Sequence, residues 1–177
     1  MKSQMSVLAV SLLLSALSCA GCGSNPPTPT VVATAPTIVV YTAPVIPYQD
    51  SETAPQWVRD DCDWNRVMPR YLAEQSEGKL RVGEAAADGG RHRELSLVAV
   101  TLHTLSGSAY TGPKWLVLEG RLTEGGKLIG NFEVRRQTIA GSLSACKTLN
   151  NLGEEISSDI LDWLDEPDFN SKLGNAS

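Results

Sequence analysis

The sequence predicts an α+β fold: a two-layer sandwich in which a four-stranded, mainly antiparallel sheet carries an N-terminal and a C-terminal helix on one face. Three observations lead there. Apolar residues recur at helical spacing at Val67, Met68, Tyr71 and Leu72, and more clearly at Leu149, Leu152, Ile156, Ile160, Trp163 and Leu164. Between these stretches the period falls to two, over 79–84, 94–105, KWLVLEGRLT and KLIGNFEVRRQTI. The order helix, strands, helix then segregates the helices to one side of the sheet. With 177 residues and a 42% hydrophobic share, the chain has material for one modest domain.

Taken in order, the first helix has Asp60, Asp61 and Asp63 at its start, where carboxylates suit the helix dipole, and Gly78 at its close. Pro69 interrupts it, so the regular helix is expected to begin near Arg66 or to bend at the proline. Two strands follow, separated by the polar loop AAADGGRHR. In the next pair, a two-residue Gly-Gly turn would set Leu118 against Glu133 and mix apolar with polar residues on both faces. A three-residue loop through Glu124-Gly125-Gly126 is therefore expected, with Leu122 opposite Leu128, Gly120 opposite Gly130, Leu118 opposite Phe132 and Leu116 opposite Val134. In the last helix Glu154, Glu155, Ser158 and Asp162 fall away from the apolar stripe, and Pro167 ends it.

The N-terminus reads as an address. Lys2 precedes an uncharged, mostly apolar run from Val7 to Leu17, too short to span a bilayer comfortably, which ends in Ser-Cys-Ala-Gly-Cys. This ending resembles the lipobox of bacterial lipoproteins, where small residues precede the cysteine that receives lipid. Cys22, behind Ala20 and Gly21, is the expected lipidation site and Cys19 the alternative; cleavage before Cys22 discards Cys19 and leaves an even pair downstream. An ordinary cleaved signal without lipid is the plainer reading. The expected boundaries are a signal over 1–21, a lipidated cysteine and proline-rich tether over 22–55, an α+β domain over 56–166 and a flexible tail over 167–177. Seven of the chain's prolines lie between Pro26 and Pro55, and 25–49 carries no charge, which fits an extended tether at about 3.1 Å per residue. The rival for its valine-rich part is an edge strand over 37–41.

Little of the sequence asks for catalysis. No Gly-x-Ser-x-Gly elbow is present, His92 and His103 stand apart from any nucleophile, and the acids of the last helix read as its solvated face. No catalytic residue, cofactor or metal is assigned, because Cys62 and Cys146 lack a second ligand at metal spacing. In an exported chain that pair is expected to form a disulfide across an 84-residue separation, tying the first helix to the last. The net charge of −5, from 15 Lys+Arg against 20 Asp+Glu, argues against nucleic acid as a partner. Arg135 and Arg136, with Trp115 beside them, could clamp an anionic group on a partner. The plainer arrangement, favoured by base rates for surface arginines, pairs one with an acid and lays the other over Trp115. Trp57, near the join of tether and domain, is read as a cap on the core edge.

The series lipobox, proline-rich tether, cysteine-led helix, Gly130-x-Phe132-x-x-Arg135-Arg136 strand and Cys146…Asp159-Ile160-x-x-Trp163-Leu164 helix resembles small uncharacterised proteobacterial envelope lipoproteins. In layout the domain is also similar to the compact modules of curli-secretion and TolB-type periplasmic proteins. The resemblance implies a fold and a compartment and leaves the activity open. Together these readings give the expected function: a non-catalytic binding or assembly component, held to the membrane by its N-terminal lipid and meeting an envelope protein partner. Gly23 behind the lipidated cysteine implies the outer membrane, facing the periplasm. A small periplasmic hydrolase or inhibitor with a cleft on the same domain is the competing class.

Overall fold

Alternating burial along the strands and apolar stripes along the helices build the molecule seen in the computed structural model, which describes residues 38–84, 92–104, 113–138 and 144–175. The chain divides into two units, Met1–Ala35 and Pro36–Ser177, and every described residue belongs to the second. The described strands are β1 (Val39–Thr42), β2 (Leu80–Val82), β3 (His92–His103), β4 (Lys114–Glu124), β5 (Lys127–Thr138) and β6 (Ser171–Gly174). They form one mixed sheet in the order β2-β1-β3-β4-β5-β6. The described helices are α1 (Gln56–Asp61), α2 (Trp64–Gln75) and α3 (Ala145–Asp165). Among the described residues no helix is long and apolar enough to cross a membrane.

The α+β class stands, while the sheet differs from the expected four strands. The additional strands come from the segments assigned to tether and tail. β1 lies inside the sheet, parallel to both β2 and β3, with Val40 and Thr42 buried. The stretch between Pro36 and Pro44 is long enough for a ladder with every N–H present, so the prolines bracket the strand and do not exclude it. Beyond β1 the chain meets β3 again in the same parallel direction, where the Ala99 N–H donates to the Pro47 carbonyl and the Gln49 N–H to the Ala99 carbonyl, both at 2.9 Å. At the other end β6 runs parallel to β5, and Leu173 packs against the core. The folded body therefore begins before residue 56 and continues past 166. The signal, both N-terminal cysteines, most of the tether and the serine-containing segments over 105–112 and 139–143 lie outside the described residues.

The β4–β5 hairpin departs from both registers weighed on the sequence. Its turn is the two-residue Gly125-Gly126, both at positive φ, between the pair Glu124–Lys127. One step along, between Leu122 and Thr123, the pairing shifts by a residue, so that Leu122 faces Gly130, Gly120 faces Phe132, Leu118 faces Val134 and Leu116 faces Arg136. Ile129 is the extra residue. The bulge restores the parity that the tight turn loses, so Leu116, Leu118, Leu122, Phe132 and Val134 still share the buried face. Gly120 is needed in this register, because a Cβ there would fall within the Phe132 ring. A second irregularity between Ala99 and Thr101 makes the same correction in β3: Leu95, Leu97 and Ala99 are buried before it and Leu102 after it.

The first helical region starts earlier than expected and carries Pro69 inside α2. A proline nitrogen cannot donate to the carbonyl four residues back, which here belongs to Asn65. That carbonyl accepts the Ile46 N–H at 2.9 Å, and the Asn65 side-chain amide donates to the Ile46 carbonyl at 3.2 Å. The defect in the helix is thus the attachment point for the segment after β1. On α3, Leu149, Leu152, Ile156, Ile160 and Trp163 are buried against the sheet and α2, as the sequence stripe requires. Cys62, between α1 and α2, is disulfide-bonded to Cys146 in the first turn of α3, with the Cα atoms 5.1 Å apart.

Candidate functional site

Both longer helices pack on one face of the sheet, and in the described residues the opposite face has no helix over it. Strand alternation sends Arg135 and Arg136 to opposite sides. Arg136 faces α3, where its Nε donates to Asp159 Oδ2 at 2.7 Å and its Nη2 to Asp159 Oδ1 at 2.5 Å. Glu155 stands 4.0 Å away. The Asp159 bonds hold the Arg136 guanidinium pKa above its ordinary value, so the fork is spent inside the molecule.

Arg135 lies on the uncovered face with Trp115. Its guanidinium carbon is 5.6 Å from the Trp115 ring centroid, and its Nη2 donates to Gln137 Oε1 at 3.2 Å. His103 stacks on the indole, centroids 3.8 Å apart and planes 11° from parallel. The structure therefore joins Trp115 and Arg135, adds His103 and separates Arg136 from them. This is the plainer arrangement foreseen for the two arginines. The sequence reading placed His103 apart from any nucleophile and did not join it to Trp115, although β4 and β5 alternation marked the face and the His103–Trp115 cross-strand pair completes it.

Further along this face the residues turn polar. A shallow cleft of about 220 Å³ is lined by Glu119, Arg121, Asn131, Glu133, Asn170 and Lys172 among others. Lys172 pairs with Glu133 at 3.0 Å, and the Asn131 and Asn170 side chains bond at 3.2 Å. On the helix side a groove of about 420 Å³ lies over β1, walled by Leu161 and Leu164 and bridged by Lys79 and Asp165 at 2.7 Å. No group of three or more His, Cys, Asp or Glu side chains gathers at metal-binding distance among the described residues. His103 lies flat against an indole on an open sheet, and Cys62 and Cys146 are consumed in their disulfide. What the uncovered face offers is an aromatic and guanidinium patch beside a polar cleft, which is the composition of a contact surface.

No family model matches the chain, and no curated protein matches it in sequence. Among solved structures it is similar to an uncharacterized protein at 16% identity, over 72% of this chain and 92% of that one, with a TM-score of 0.51. A Xanthomonas campestris protein of the DUF330 model is 12% identical over 79% of this chain and 87% of its own, with a TM-score of 0.49. A Neisseria meningitidis lipoprotein is 12% identical over 72% and 98%, with a TM-score of 0.36. At such identities a likeness speaks to the fold alone, and the likeness at 0.51 supports the α+β arrangement described above.

Proposed function

We propose that the protein is a lipid-anchored, non-catalytic binding or assembly component of the bacterial cell envelope, held at the outer membrane and facing the periplasm. It meets an envelope protein through the uncovered sheet face around His103, Trp115 and Arg135. The observation that carries this reading is the half-buried Trp115 between His103 and Arg135 on a face that no described helix covers. Tryptophan and arginine are the residues that most often anchor interfaces, and a stacked, partly desolvated group gives up little side-chain entropy on binding. The anchor is supported by the lipobox-like residues around Cys22.

A photo-crosslinking residue placed at position 115, compared with one at the exposed Glu154 on α3, tests the surface in intact envelopes. One discrete adduct from 115 and none from 154 is the expected result; equal labelling from both positions refutes the assignment. In the same cells Cys22→Ala should abolish metabolic labelling with palmitate and release the chain from membranes. Persistent labelling in that variant would move the lipid to Cys19.

A further inference from the structure

Few large apolar side chains stand in the open, and two of them share one end of the sheet. Among the described residues the exposed ones are Val45, Leu128 and Phe169. Leu128, 40% exposed, is the second residue of β5 and faces Thr123 of β4, one step from the Gly125-Gly126 turn. Phe169, 52% exposed, follows Asp168, whose carbonyl accepts the Asn131 N–H of β5 at 3.1 Å. From Leu128 to Asn131 is roughly 10 Å of strand, so both side chains belong to the same end of β5.

The register carries this end across the sheet to the place where the chain enters. Lys127 pairs with Glu124, Glu124 with Arg93, and Arg93 with Val40, two residues after Ile38. That row crosses four strands in roughly 15 Å. Only 16 residues separate Ile38 from Cys22, at most about 55 Å of fully extended chain. A lipid on Cys22 therefore keeps this end of the sheet close to a bilayer, and a weak contact then suffices, because tethering makes the effective concentration of the surface high. The end is not basic, since Arg93 is paired with Glu124 at 3.2 Å and Glu166 and Asp168 precede Phe169. The contact it supports is the burial of apolar side chains at the interface, not attraction to anionic lipid.

We infer that the end of the sheet bearing Leu128 and Phe169 rests on the lipid surface, with those two side chains entering the interface of the bilayer. The inference builds on the lipid anchor proposed above. In this orientation His103 and Trp115, at the other end of β3 and β4, stand up to about 35 Å from the bilayer, where a partner can reach them.

The lipidated full chain in phosphatidylcholine vesicles supplies the test, with a bimane label on Lys127→Cys, beside Leu128, or on Thr101→Cys near the far end of β3. Both positions are exposed, and the labels are attached without reductant so that the disulfide stays closed. Lipids carrying a nitroxide in the acyl chain should quench the label at 127 several-fold more than the label at 101. Leu128→Ser combined with Phe169→Ser, both at exposed positions, should bring the two labels to the same level with an unchanged melting temperature. Equal quenching at 127 and 101 in a chain that sediments with the vesicles overturns the docking and leaves the anchor standing. Undiminished quenching at 127 in the double serine variant overturns it as well. A label at 127 that is shielded from aqueous iodide yet not reached by the nitroxide lipids gives the patch to a second copy of the chain, which also overturns it. A wild-type chain that fails to sediment with vesicles removes the anchor, and this inference with it.

Discussion

Two neighbouring arginines show how far one residue's position carries. Arg135 and Arg136 share a sequence context, yet alternation gives one to Trp115 in the open and the other to Asp159 beneath α3. Side-chain exposure at the Arg136–Asp159 pair is 29% and 16%, so solvent screens it only partly. Arg136→Met or Asp159→Asn should therefore each cost about 1 to 3 kcal/mol in denaturant unfolding. The double variant should lose much less than the sum, because each single change leaves a half-buried partner unpaired. Additive losses would mean that the pair does not couple α3 to the sheet.

At the scale of elements, two irregularities hold the layers together. Ile129 exists in the ladder to restore parity after a two-residue turn. Deleting it should leave a regular ladder after the same turn, with Leu122 still opposite Gly130 and Phe132 and Val134 still on the buried face, so the variant is expected to keep cooperative unfolding and its near-UV circular dichroism, and loss of both would show that the bulge itself is needed. Deleting Gly125 instead alters the turn itself, and comparing the two separates register from turn chemistry. Pro69 is the second case. An interior proline commonly costs a helix about 3 kcal/mol, so Pro69→Ala would ordinarily be expected to stabilise by a similar amount. Here the carbonyl that the proline frees already accepts the Ile46 N–H. Pro69→Ala should therefore change stability by less than about 1 kcal/mol, with faster amide exchange at Ile46 if the new N–H competes for the Asn65 carbonyl.

For the whole molecule the disulfide is the long-range tie. It joins the start of α2 to the start of α3 across 84 residues, and both helices begin beside each other as such a bridge demands. Replacing Cys62 or Cys146 by serine should lower stability by about 2 to 5 kcal/mol, read as a fall in melting temperature. The double serine variant should lose about the same as either single one, because both report the same bond. An unchanged melting temperature would show that the core alone fixes the helix layer.

By itself the sequence determined the α+β class, the helical stripe of α3, the parity of the buried face in β4 and β5, and the Cys62–Cys146 bond. These follow from periodicity, and from an even count of cysteines beyond an N-terminus read as an export signal, which are local or arithmetic properties of the chain. Only the tertiary structure decided the places of β1 and β6. Short strands have too few residues to show a period, and they are stabilised by the edges of β3 and β5, which the local sequence does not contain. The hairpin register was likewise undecidable from pattern, since a longer loop and a tight turn with a bulge both preserve the same alternation. The stacking of His103 on Trp115 escaped notice for a related reason. It depends on which strands become neighbours, and that is settled by packing over the whole sheet and not by the residues on either side.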